Sequence, residues 1–137
     1  MSIAQAWLQF IGPTTILEAG CNHAPVCKNS DTFGLDGDEN YVHDLTKTPW
    51  PIRDKQYDVF IALQVWEHLG DNQVCSFQEA ERIACHIILS FPYMWSAPND
   101  CHHEINEEII GAWAGGRQPD KSFMVNDTTT RRRLICY

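Results

Sequence analysis

Residues Tyr57 to Leu63 read YDVFIAL, a run that is apolar at nearly every position. A strand with one wet face alternates apolar and polar side chains, whereas a parallel strand covered on both faces does not. The run therefore predicts a central strand with helices on either side. His86-Ile87-Ile88-Leu89-Ser90-Phe91 is a second such run, and Pro92 stops it because proline has no amide to give the ladder. Between the two, Phe77, Ala80, Ile83 and Ala84 recur at helical spacing, with Asp71 placed to cap the helix. Strand, helix, strand in that order is a parallel crossover unit.

Working outward, Ala4, Trp7, Leu8 and Ile11 mark a short amphipathic helix that Gly12-Pro13 ends. Thr15–Ala19 and Thr32–Asp36 read as strands, joined by a glycine-containing turn and the polar segment Cys27–Asp31. A parallel crossover takes about ten to twelve residues or more when it carries a helix. This first crossover helix is therefore expected to be shortened or absent. Tyr41–Leu45 is another extended piece, and Pro49-Trp50-Pro51 bends the chain after it. Ile105–Trp113 has helical periodicity ending at Gly115-Gly116, and Ser122–Val125 with Arg133–Tyr137 read as a closing antiparallel pair. The expected fold is α/β, a mostly parallel sheet of seven strands with a C-terminal antiparallel hairpin, in one domain spanning residues 1–137.

Composition narrows the function classes. The net charge of −8, from 18 acidic against 10 basic residues, repels polyanions, so nucleic acid is excluded as the expected partner. The basic cluster Arg131-Arg132-Arg133 abuts Leu134-Ile135-Cys136-Tyr137 and reads as the flank of a last strand. No run approaches the roughly 18 apolar residues of a membrane span. The first residues lack the basic start of a secretion signal, so a cytoplasmic protein is expected. Six cysteines are expected to stay reduced, with Cys75, Cys85 and Cys136 acting as small hydrophobes.

Ligands of open α/β sheets lie beyond the carboxyl ends of the strands. Here those ends carry Glu18-Ala19-Gly20, Asp36-Gly37-Asp38, Asp44, Gln64 and Pro92-Tyr93. An acid after the second strand can accept both hydroxyls of a ribose, and a glycine after the first lets backbone approach a ligand. Asp36 and Asp38 also suit a turn around Gly37.

The stretches ILEAGCNHAP (Ile16–Pro25), FGLDGD (Phe33–Asp38), VHDLTKTPWPIRDKQYDVFIALQVWEHL (Val42–Leu69) and AERIACHIILSFPY (Ala80–Tyr93) together resemble the class I S-adenosylmethionine-dependent methyltransferases, in their compact, type 11-like branch. The resemblance implies a Rossmann-like methyltransferase sheet and S-adenosylmethionine as cofactor. It assigns Glu18, Gly20, Cys21 and Asn22 to the cofactor's amino-acid end, Asp36 to its ribose, Asp44 and Leu45 to its adenine, and Gln64 to the residue after the fourth strand. The chain departs from the family's glycine loop, with Asn22 and Ala24 in the later glycine places.

The implied activity is methyl transfer to a small-molecule or other acceptor, and the alternative is an inactive binding or scaffold module that keeps the fold. A proton-bearing acceptor needs a base, for which histidine is suited near neutral pH. His102 and His103, beyond Pro92-Tyr93, are the expected candidates, with His68 as the third; His23 would meet the amino-acid end, and His43 and His86 read as structural. Cys21, His23 and Cys27 with Cys101-His102-His103 are chemically able to hold zinc, but their spacing matches no familiar knuckle, and no metal is expected. The acceptor and the oligomeric state are not written in these patterns.

Overall fold

The computed structural model describes residues 2–21, 25–35, 37–94, 105–126 and 131–137. Helix α1 (Ile3–Ile11) opens on a capping box, in which Gln5 N donates to Ser2 Oγ at 3.2 Å and Ser2 N donates to Gln5 Oε1 at 2.8 Å. It closes on Gly12, whose left-handed backbone lets its N–H reach Leu8 O. Strands β1 (Ile16–Ala19), β2 (Asp31–Gly34), β3 (Tyr41–Val42) and β4 (Tyr57–Leu63) follow. Two single 3₁₀ turns, Trp66–His68 and Gly70–Asn72, lead into helix α2 (Gln73–Ile83). Strand β5 (Ala84–Pro92), helix α3 (Glu107–Trp113) and strands β6 (Lys121–Asn126) and β7 (Arg131–Cys136) complete the order.

One seven-stranded sheet runs β3-β2-β1-β4-β5-β7-β6, parallel from β3 to β5 and antiparallel where β7 pairs with β5 and with β6. The expected α/β class, mostly parallel sheet and C-terminal antiparallel pair are all present. No helix occurs among the described residues between β1 and β2, as the short connection required. Val59, Phe60, Ile61 and Ala62 of β4 are wholly buried, which is why that stretch carries no polar alternation.

The two faces are covered unequally. Helices α2 and α3 lie on a thick core that includes Leu17, Phe33, Trp50, Phe60, Trp66, Phe77, Leu89 and Trp113. Among the described residues the other face has α1 alone, with Ala4 and Leu8 set on Val59, Ile61, Ile88, Leu134 and Cys136. The Pro49-Trp50-Pro51 bend is gripped by α2. Glu79 Oε1 accepts from Trp50 N at 2.6 Å, and Arg82 bonds Glu79, Ile52 O and Trp50 O. Arg82 holds the Glu79 carboxyl below its usual range, chiefly through its hydrogen bond.

Several boundaries differ from expectation. Asp71 lies in a 3₁₀ turn and Asn72 occupies the cap position of α2 without a side-chain cap, because the two turns consume the residues before Gln73. Strand β2 ends at Gly34, so Asp36 is not its last residue. β5 begins at Ala84, which places His86 within the strand, opposite Val59. Cys136 is buried as expected, but Cys75 and Cys85 are exposed: helical and strand periodicity turn them to solvent. Among the described residues no helix is long and apolar enough to cross a membrane.

Candidate functional site at the carboxyl ends of the strands

The turn leaving β1 is set against the segment leaving β4. Gly20 has φ +66°, and a β-carbon built on it would stand 2.6 Å from Val65 Cγ2. Only glycine meets both the left-handed backbone and the contact. Its N–H donates to Phe33 O at 3.1 Å, which ties the same turn to β2.

Glu18, the acid of this turn, is 3% exposed and points to the α1 face, the opposite side from Leu17 and Ala19. Its two carboxylate oxygens accept from Val26 N at 2.8 and 3.0 Å, and Oε2 also accepts from Ser30 Oγ at 3.3 Å. Glu18 therefore latches the loop that replaces the crossover helix. Burial raises its carboxyl above the ordinary value, opposed by the Val26 and Ser30 bonds, and the same burial together with the Glu18 charge raises the Cys27 thiol.

A raised folded-state value means that the Glu18 contribution is full below the unfolded value and is lost as pH rises through the folded one. Glu18→Gln keeps an acceptor for Val26 and a donor for Ser30 but carries no charge. Its melting midpoint minus that of the wild type should therefore grow more positive between about pH 4 and about pH 8. A difference that is flat or falls over that interval would refute the latch as a buried charge.

Cys21, Pro25, Thr32, Asp38 and Glu39 line a cleft of about 260 Å³ beyond the ends of β1 and β2. Glu39 Oε2 accepts from Gly37 N at 2.9 Å, so the turn after β2 is braced by its own acid. Asp44 follows β3 and forms an Asx turn, with Oδ1 accepting from Thr46 N at 2.9 Å and Thr46 Oγ1 at 2.7 Å; these bonds lower its carboxyl. Asp44 Oδ2 and the Leu45 amide are not engaged by any described residue. The Leu45 side chain is core, and its carbonyl accepts from Trp50 Nε1 and Ser76 Oγ, which leaves its amide as the group without a partner among the described residues.

Gln64 stands directly after β4 in a left-handed conformation, φ +58°. Its N–H donates to Ser90 O at 2.8 Å and its side-chain amide to Ser90 Oγ at 3.1 Å, which fixes it to the end of β5. A non-glycine residue in this region is strained by about 1–3 kcal/mol, and such strain clusters at functional positions. His68 is half-exposed, with Nε2 3.7 Å from Oε1 of the buried Glu67. His43 lies just past β3 and donates from Nε2 to Lys47 O at 2.6 Å.

The structure thus brings Gly20, Cys21 and Gln64 to one end of the sheet and places Asp44 at the end of its outer strand, while Glu18 turns away into the loop it holds. Asn22, Asp36, His102 and His103 lie outside the described residues. Among the described residues no three His, Cys, Asp or Glu side chains are grouped to hold a metal ion. Glu39 and Ser90 were missed in the sequence. The acid run Asp36-Gly37-Asp38-Glu39 was a usable signal for Glu39; Ser90 inside an apolar strand gave none.

No family model matches the chain, and no curated protein matches its sequence. Solved structures do match its backbone. The PH0226 protein from Pyrococcus horikoshii OT3 superposes with a TM-score of 0.73 at 12% identity, covering 98% of this chain and 86% of that one. The N-methyltransferase NodS from Bradyrhizobium japonicum WM9, in complex with S-adenosyl-L-homocysteine, gives 0.70 at 12% identity, over 97% and 84% of the two chains. Magnesium protoporphyrin IX methyltransferase from Synechocystis PCC 6803, with the same product bound, gives 0.66 at 16% identity, over 97% and 78%. At these identities the likeness is one of backbone, and the chain has the Rossmann-like fold of the class I S-adenosylmethionine-dependent methyltransferases.

Proposed function

We propose that the chain binds S-adenosylmethionine at the carboxyl ends of β1, β2 and β3 and transfers its methyl group to a small-molecule acceptor. The observation that carries this reading is the forced glycine at position 20, packed on Val65 beside an open cleft. The residues fit the cofactor's chemistry. The Gly20-Cys21 backbone is free of a side chain on its first residue and suits the amino-acid end. Asp38 and Glu39 line the cleft with negative charge, which favours a sulfonium and an ammonium. Asp44 Oδ2 and the Leu45 amide form an acceptor and a donor side by side, the pair an adenine edge needs. Asn22 and Asp36 are assigned by resemblance to the amino-acid end and the ribose. When bound, the cofactor supplies an electrophilic methyl group on positively charged sulfur.

The chain's own contribution is to hold the acceptor's nucleophile in line and to take its proton. Gln64, fixed to Ser90, stands at the transfer side, and His102, His103 or His68 is the proposed base. The magnesium protoporphyrin IX methyltransferase among the neighbours favours a small-molecule acceptor. The net charge of −8 disfavours nucleic acid, and reduced thiols at Cys27, Cys75, Cys85 and Cys136 suit the reducing cytoplasm.

A second reading, a scaffold without catalysis, rests on the β1–β2 connection. Without a helix there, no helix N-terminus is available to meet the ligand's carboxylate. Calorimetry with S-adenosyl-L-homocysteine separates the two. Saturable one-to-one heat is expected, and Asp44→Ala should weaken it by about 1.5–3 kcal/mol, the worth of a hydrogen bond to a charged group. Absence of heat at about 1 mM ligand, where even weak binding of −4 kcal/mol would register, would leave the scaffold reading standing.

A further inference from the structure

The sheet ends on β6, and among the described residues no strand pairs with its outer edge. The opposite edge, β3, is two residues long, whereas β6 runs from Lys121 to Asn126 in unbroken register with β7. A row of unpaired N–H and C=O groups is a template for another strand, and proteins guard such edges with proline, bulges or charge. β6 has no proline, no break in its register and a single charge, Lys121, at its first position. Its side chains are exposed apart from the half-buried Phe123, and they include Met124 at 45% and Val125 at 36%.

The ladder decides which amides point outward. Tyr137 and Ile87 exchange both backbone bonds, and Tyr93 N donates to Arg131 O, so the odd-numbered residues of β7 face β5 and the even-numbered ones face β6. Cys136 O accordingly accepts from Asp120 N. Register then turns the amides of Lys121, Phe123 and Val125 in to β7 and those of Ser122, Met124 and Asn126 out. Side chains alternate with the same period. Phe123 packs on the α1-face cluster that Trp7 also meets, and Val125 shares a hollow with Ile3. Ser122, whose Oγ accepts from Arg133 Nε, lies on the other face with Met124. The flank of α1 continues the apolar surface, because Ile3, Trp7 and Phe10 recur at helical spacing and Phe10, stacked on Trp7 at 4.9 Å, is 77% exposed.

We propose that β6 is a dimer edge, pairing antiparallel with β6 of a second copy about a two-fold axis at Met124. An axis normal to the sheet keeps each face on its own side, so opposite residues share parity. With Met124 opposite Met124, Ser122 falls opposite Asn126, and each pair exchanges both backbone bonds because these are the outward amides. Between them Phe123 meets Val125 of the second copy, an aromatic beside a β-branched side chain in the closer, non-hydrogen-bonded pairing, twice by symmetry. An axis at Phe123 would set Lys121 opposite Val125 and lose both of those pairs. Charge selects a second copy as the occupant. Two chains of net charge −8 repel across acidic surfaces, and β6, β7 and α1 contain no acid. Lys121 lies just beyond the overlap, a cation presented to a partner of opposite net charge. The two Lys121 residues stand about 20 Å apart, well beyond the screening length of about 8 Å. This pairing is independent of the methyl-transfer reading.

Sedimentation velocity of the whole chain between about 1 and 100 μM should show a species of twice the chain's mass that grows with concentration. Met124→Pro removes the outward N–H at the axis and spares the ladder to β7, so circular dichroism should be kept while dimerisation weakens roughly tenfold or more, the bond being lost twice. If the proline variant fails to fold, Met124→Lys makes the same test by setting like charges on the axis. Mild oxidation of Met124→Cys should cross-link the copies beyond the wild-type level, because a hydrogen-bonded antiparallel pair holds its α-carbons about 5.5 Å apart, within a disulfide's reach. Val125→Cys, which faces Phe123, should not cross-link. A wild type that stays monomeric at about 100 μM would overturn the proposal and leave the edge to a strand of another protein. A dimer that persists in both Met124→Pro and Met124→Lys would overturn the edge as its interface, and cross-linking of Val125→Cys without Met124→Cys would overturn the register.

Discussion

Gly20→Ala should lower the stability of the fold by about 2–5 kcal/mol. The left-handed backbone at φ +66° costs a β-carbon roughly 1–2 kcal/mol. The contact with Val65 Cγ2, at 2.6 Å, adds the cost of overpacking, typically about 1–3 kcal/mol. Gly12 supplies the control, because it has nearly the same φ of +64° and nothing within 4 Å of its built β-carbon. Gly12→Ala should cost only the backbone part, about 1–2 kcal/mol. The two variants compared by urea denaturation isolate the Val65 contact, and Val65→Ala in the Gly20→Ala background should return the overpacking part. Equal losses at Gly12 and Gly20 would mean that the β1 and β4 segments do not press on one another.

Trp66→Ala should be as damaging, at about 3–5 kcal/mol, the cost of emptying a large buried aromatic site. Trp66 is fully buried, with ring centroids 6.0 Å from Phe60 and 6.5 Å from Trp113. Its indole donates to Gln73 O at 3.3 Å, Gln73 Nε2 donates back to Trp66 O at 2.9 Å, and Trp113 Nε1 donates to Gln73 Oε1 at 3.1 Å. Trp66→Phe should fall between, because the ring survives and the Gln73 carbonyl loses its donor, a penalty of about 1–3 kcal/mol. Because Val65 precedes Trp66 in the chain and packs against the same core, both variants should weaken product binding along with stability. A loss below about 1.5 kcal/mol for Trp66→Ala would mean that the site collapses around the gap.

What the sequence revealed of the fold came from runs whose burial is total. Val59 to Ala62 and Ile87 to Leu89 are apolar because both sheet faces are covered, and that alone ordered the central strands. Boundaries were less legible where local turns compete with helix or strand. The two 3₁₀ turns before Gln73 and the early start of β5 at Ala84 leave no distinctive residue behind. The site followed the same division. Strand ends could be located, which put Gly20, Asp44 and Gln64 at the right end of the sheet. Orientation could not, because it depends on which face each residue takes: Glu18 meets Val26, and Leu45 sinks into the core. The partner of Gln64, Ser90, is brought near by sheet pairing alone.

The docking of α1 on the thin face has a thermodynamic corollary. A nine-residue helix is marginal in isolation, so α1 persists through its capping box and the docking of Ala4 and Leu8. Elements with so little buried contact open at lower free energy than the whole molecule. Ser2, Ile3 and Ala4 at its start roof a cavity of about 380 Å³ whose floor is Leu63, Ser90 and Leu134 of the sheet, so opening of α1 unroofs that cavity and leaves the strands of its floor paired. Helix docking and cavity occupancy are then linked functions. A molecule that binds only the roofed form draws the docked population up, and its apparent affinity is the intrinsic one scaled by the fraction of chains whose helix is already down.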